Sequence, residues 1–136
     1  MRYVILFLAL LGVVDSALAL HVHYDTGTEP CDINARWDCG IVNHSSFAEI
    51  AHVPVAAIGI AGYLGLAVLA FTRRHILLAV AAVAGFGFAL YLSNIEKNVL
   101  EVWCLYCVIS QGIIALIMLL SFIWLGMAQF ARRKAA

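Results

Sequence analysis

Four apolar stretches, each close to the length that crosses a bilayer, decide what this chain can fold into. About 20 apolar residues in a helix span the hydrocarbon core. The stretches cover residues 3–20, 53–71, 76–95 and 103–127, the ends set to within a few residues. Lipid offers no partner to backbone N–H and C=O groups, so each stretch is read as a helix. The expected fold class is an all-α integral membrane protein, a four-helix bundle with an outer loop at 21–52 carrying a cysteine pair. Composition closes off the alternatives. Hydrophobic residues make up 65% of the chain and charged ones 12%, with a mean hydropathy of +0.99. A soluble globule or a disordered chain needs far more polar surface than that. A net charge of zero argues against a nucleic-acid partner. With 136 residues, one membrane domain over 1–136 is expected.

Orientation follows from the basic residues. In a four-span arrangement Arg2, Arg73, Arg74, Arg132, Arg133 and Lys134 fall on one side, and Arg36 and Lys97 on the other. The basic side is cytoplasmic. Both termini are then inside, and the loops at 21–52 and 96–101 face outward. Asp25, Glu29, Asp32, Asp38, Glu49, Glu96 and Glu101 accompany them. Arg2, the apolar run and Ala17-Leu18-Ala19 also have the look of a cleavable signal peptide. The length of the run and Asp15 within it favour a retained helix. Small residues in the second stretch (Ala57, Ala61, Gly65, with Gly59 and Gly62) and the third (Gly85, Ala89, Ser93) are read as helix-packing positions.

The four cysteines carry the chemistry. Cys31 and Cys39 lie in the outer loop, and Cys104-Leu105-Tyr106-Cys107 opens the fourth helix at its outer end. All four are on the side where disulfides persist. Residues three apart share a helix face, so Cys104 and Cys107 can close a small ring. A helix N-terminus favours the thiolate, which makes this pair reactive. A passive disulfide is the alternative, but so tight a ring restrains little chain. Zinc sites pair cysteines two to four apart, twice, and a c-type haem needs His where Val108 stands; no metal is expected. A loop pair meets a soluble thiol protein, a pair at the membrane edge meets something dissolved in lipid, and exchange links the two. The lipid-soluble redox group that fits is a quinone.

These residues resemble the vitamin K epoxide reductase family. The likeness rests on Cys31 and Cys39 followed by Ser45, then C-x-x-C opening the last of four helices. It extends to Ala19-Leu20-His21-Val22, to Ser45-Ser46-Phe47-Ala48, and to Pro54-Val55-Ala56 followed by Gly59 and Tyr63. It covers nearly the whole chain. It implies a bundle holding a quinone near the outer surface, of ubiquinone or menaquinone (vitamin K) type, with Cys104 and Cys107 as the active-site pair and Cys31 and Cys39 as the shuttle pair. Ser45 matches a serine close to the quinone. In bacterial members the electron donor is a periplasmic thioredoxin-like oxidase; with none fused here, a separate protein is expected, and the bacterial inner membrane as the location. Vertebrate members reduce vitamin K epoxide and quinone. Two positions depart from the family: His52 stands where bacterial members often have Gly, and Gln111 where vertebrate members place a tyrosine near the quinone.

The resulting expectation is a membrane thiol–quinone oxidoreductase that supports disulfide formation. A loop thiol attacks the Cys104–Cys107 disulfide at Cys104, read as the more exposed sulfur, and Cys107, one turn deeper, faces the quinone. Ser45 and Gln111 are the candidate quinone-binding residues. The alternatives are epoxide reduction as the main activity, and a non-enzymatic membrane subunit with structural disulfides. Asp15 is an ionisable group inside a span, either functional or hydrogen-bonded to a neighbouring helix. Trp37 and Trp103 suit the membrane interface. His44 and His52 are read as solvated loop residues.

Overall fold

The computed structural model describes residues 1–24, 37, 46, 49–101 and 103–135. Helix α1 (Arg2–Tyr24) precedes a small hairpin, β1 (Glu49–Ile50) and β2 (Val53–Pro54), and α2 (Val55–Phe71) starts directly from it. Helix α3 (His75–Ile95) runs without a break into a π-helical turn (Glu96–Leu100), and α4 (Leu105–Ala135) completes the bundle. Helices α1, α3 with its π turn, and α4 are long and apolar enough to cross a membrane; α2 is equally apolar and shorter, at 17 residues. The protein is an all-α membrane bundle.

The helices run up and down. The Arg2 guanidinium lies 5.7 Å from the Phe71 ring centre, and His75 meets Trp124 edge-on at 4.4 Å. The start of α1, the α2–α3 turn and the C-terminal half of α4 therefore share one end. Arg73 and Arg74 sit in that turn, and Arg132, Arg133 and Lys134 in the last turn of α4. Tyr24, the hairpin, the π turn and Cys104 lie at the other end. Ile5, Ala9, Tyr63, Leu66, Ala70, Leu78, Ala82, Ile113, Ile114 and Ile117 form the core. Phe7, Val68, Val80 and Leu119 are among the large apolar side chains left exposed. Lipid is as apolar as they are, so close packing rather than hydrophobic burial holds such helices together.

Packing is closest where side chains are smallest, though not along the expected stripe. A Cβ on Gly12 of α1 would collide with the Tyr63 ring of α2, and a Cβ on Gly59 would come within 2.8 Å of Ser16 Oγ. Ala61 and Gly65 are instead exposed, and a Cβ on Gly62 or Gly65 would meet nothing within 4 Å. Ala61 and Gly65 of that stripe thus face outward, while Gly12, which carries no local signal in the sequence, makes the closest approach among the described glycines. Gly85 behaves as expected: a Cβ there would press on Ile114 of α4 at 3.2 Å.

The hairpin pairs Glu49 with Pro54 and Ile50 with Val53, leaving Ala51 and His52 as a two-residue turn with φ of 52° and 68°. A left-handed turn of this kind favours glycine, so His52 stands in a backbone conformation where Gly carries no strain. His23 Nε2 lies 3.1 Å from Glu49 Oε1 and ties the hairpin to the C-terminal end of α1.

The connection at 96–101 differs from the outward-facing loop expected of it. It continues α3 as a π turn and ends only at Glu101, whose φ is 55°. The continuation folds Glu96 inward, where it is 2% exposed.

Candidate active site

Cys104 precedes the first turn of α4 and Cys107 lies in it. Cys104 is fully buried, packed with Val22 of α1 and with Leu100, Leu105 and Tyr106. Cys107 is partly exposed. This reverses the expected order of accessibility: Cys104 is the sealed sulfur and Cys107 the open one. The two side chains lie within interaction range of each other.

Glu96 joins them. Its Oε2 accepts a hydrogen bond from the Cys104 backbone N–H at 3.2 Å, and its carboxyl also interacts with the Cys107 thiol. A helix N-terminus presents N–H groups with no intrahelical partner. Here a buried carboxyl takes one of them, so the positive end of α4 acts on a carboxyl and a thiol together. The arrangement puts a proton acceptor next to a nucleophile, as activated thiols need. The sequence signal for Glu96 is faint: a carboxylate at the boundary of an apolar span, eight residues before Cys104.

Cys107 and Glu96 stand in the wall of a cavity of about 400 Å³. That lies in the 300–1,000 Å³ range of small-molecule sites. Val55, Gly59, Gly62 and Leu66 of α2 form one side, and Ala81, Gly85, Phe88, Ala89 and Leu92 of α3 the other. Asp15, Ser16 and Ala19 of α1, and Ser110 and Ile114 of α4, complete it. The walls are apolar except where Asp15, Ser16, Tyr63, Ser93, Glu96, Cys107 and Ser110 reach them. A flat apolar ring carrying polar oxygens suits such a lining, so the residues fit a quinone. Among the described residues no group of three or more His, Cys, Asp or Glu could hold a metal.

Gln111, a candidate for the quinone, accepts a hydrogen bond from Ser93 Oγ of α3 through its Oε1. The bond joins α3 to α4, and Ser93 and Ser110 rather than Gln111 line the cavity. One turn below Cys107, Tyr63 Oη donates to the Ser110 carbonyl at 2.8 Å and lies 2.7 Å from Ser110 Oγ. Neither Ser110 nor the role of Tyr63 was visible in the sequence, because a contact 47 residues long leaves no local mark.

Cys31, Cys39, Ser45 and His44 lie outside the described residues. Trp37 of the outer loop is described. It forms an isolated parallel bridge with Trp103, the residue before Cys104, and their rings are 6.5 Å apart.

A sequence model of the vitamin K epoxide reductase family matches residues 3–122, a span that includes every cavity residue named above. No curated protein matches the chain.

Proposed function

Because the chain belongs to the vitamin K epoxide reductase family and is thereby a quinone-linked membrane oxidoreductase, we propose that it relays electrons from a separate thioredoxin-like protein to a membrane quinone and so supports disulfide formation. The observation that carries this reading is Cys107, beside Glu96, in the wall of an apolar cavity of quinone size.

The relay runs through two exchanges. The partner's dithiol is oxidised as it reduces a Cys31–Cys39 disulfide. A loop thiolate then attacks the Cys104–Cys107 disulfide, giving that pair two electrons and releasing the loop as a disulfide again. The Trp37–Trp103 bridge supports this step, since Trp37 precedes Cys39 by two residues and Trp103 adjoins Cys104. A bound quinone supplies an acceptor for two electrons and two protons. Cys107 faces that acceptor, and Glu96 takes the thiol proton as the Cys104–Cys107 disulfide re-forms. Burial of Cys104 shields one sulfur from stray thiols while the other meets the cavity. Ser45, six residues after Cys39, is assigned a hydrogen bond to a quinone oxygen.

We place the protein in a bacterial inner membrane with the cysteine end periplasmic and both termini cytoplasmic. The gathering of Arg2, Arg73, Arg74, Arg132, Arg133 and Lys134 away from Cys104 supports this. The test is anaerobic incubation of the purified chain with a reduced thioredoxin-fold protein and a ubiquinone or menaquinone analogue. Quinol and oxidised partner should appear together. A partner that stays reduced while quinone and chain are both present would overturn the relay.

A further inference from the structure

The deep end of the cavity holds a polar group that the relay does not use. Asp15 is 7% exposed, lines the cavity, and makes no hydrogen bond with any described residue. A carboxyl in such surroundings is costly unless something pairs with it. Its described neighbours are already engaged elsewhere or small: Tyr63 and Ser110 bond each other, and Ser16 packs on Gly59. Among the described residues, what remains within its reach is the cavity itself.

Depth matters here. Val22 packs against Cys104, and Asp15 precedes it by seven residues, about 10 Å along α1 towards the cytoplasmic end. Ser110 follows Cys107 by three residues, about 4.5 Å deeper along α4. The cavity therefore has two polar ends. Cys107 and Glu96 form the outer one, and Asp15 with Tyr63 and Ser110 the inner. The rest of the lining, with Gly59, Gly62, Phe88 and Ala89 among it, is apolar.

We propose that Asp15, as a neutral carboxyl, is a second ligand anchor, donating a hydrogen bond to the ring oxygen remote from Cys107, so that the site selects 1,4-quinones over aromatic ketones with a single oxygen. The inference rests on the reading of this cavity as a quinone site. A 1,4-quinone carries its two oxygens on opposite edges of one ring, which is the pattern the two polar ends match. A ring with one oxygen satisfies one end and leaves the other unpaired, which a buried polar group penalises. The anchor fixes the ring's depth, and with it the edge presented to Cys107.

The test is binding to the full chain in lipid nanodiscs, with the cysteines oxidised so that no turnover occurs. The probes are 2,3-dimethyl-1,4-naphthoquinone, whose substituted positions resist thiol addition, and 1-tetralone, which has one oxygen. Wild type should bind the quinone about tenfold more tightly than the monoketone, the value of one well-placed hydrogen bond. Asp15→Leu should lose that preference by weakening the quinone alone. Asp15→Asn, whose amide still donates, should keep part of it. Should Asp15→Leu fail to fold, as thermal unfolding reports, Asp15→Ala carries the same comparison. An undiminished preference in Asp15→Leu or Asp15→Ala would overturn the anchor and leave the quinone site standing. A wild type that binds neither ring would sink both.

Discussion

The Cys104 backbone N–H donates to Glu96 Oε2 at 3.2 Å, from the first residue before α4 back to the π turn that extends α3. That bond fixes a carboxyl at the end of the helix that carries Cys107. The local break in helix geometry is what turns an interfacial acid into part of the reactive site, in keeping with the tendency of π-helical turns to mark functional positions.

Glu96→Gln should separate structure from chemistry. Glutamine keeps an oxygen to accept the Cys104 N–H but cannot take up a proton. Positioned acid–base groups contribute about 100-fold or more, so single-turnover quinone reduction by the dithiol form should slow by about that factor while thermal stability changes little. A rate equal to wild type would remove Glu96 from the chemistry and leave it a helix-end ligand.

Removing Cys31 or Cys39 should affect two donors unequally. Turnover with a thioredoxin-like protein should collapse, because the proposed relay uses the loop pair as its adaptor. A small dithiol that diffuses to the Cys104–Cys107 bond should retain activity. Equal loss with both donors, read from quinol formation, would make the loop pair structural.

Much of the fold was legible because lipid leaves few choices. Apolar runs of bilayer length are helices, and Arg2, Arg73, Arg74 and the 132–134 cluster mark one end. Cys104 and Cys107 stood out because three-residue spacing at a helix start has a chemical meaning of its own. What the sequence hid depends on contacts between distant segments. Glu96 looked like one more outer carboxylate, since nothing local signals a π turn. Tyr63 finds Ser110, and Gly12 finds Tyr63, only when α1, α2 and α4 come together. The Ala57–Ala61–Gly65 stripe misled for the same reason: small residues permit close packing, but the partner decides which face is used.

Gly12 gives a stability prediction of known sign. Gly12→Ala drives a Cβ into the Tyr63 ring, which the Ser110 bonds hold in place. Overpacking of this kind costs about 1–3 kcal/mol. Its thermal midpoint in detergent should fall. Gly65→Ala, where a Cβ meets nothing within 4 Å, should match or exceed wild type. An unchanged midpoint in Gly12→Ala would show that α1 and α2 do not pack as described.

Orientation can be read in bacterial cells. A reporter fused after Ala136 should be active in the cytoplasm, as the proposed orientation with Arg132, Arg133 and Lys134 inside requires. After mild reduction, a membrane-impermeant thiol reagent should label Cys31 and Cys39 from outside. Cys104, buried as it is, should label far more slowly. An exported reporter would reverse the whole arrangement.

In the proposed relay Cys107 is the sulfur at which electrons leave the protein for the quinone, and dithiol-driven quinol formation by Cys107→Ala beside wild type, under anaerobic conditions in nanodiscs, puts that role to the test. With a small dithiol as donor the outer loop is bypassed, so only the Cys104/Cys107 pair and the cavity are tested. Wild type should turn over and Cys107→Ala should not, although the variant should still bind quinone. Full dithiol-driven turnover by Cys107→Ala would contradict the assignment.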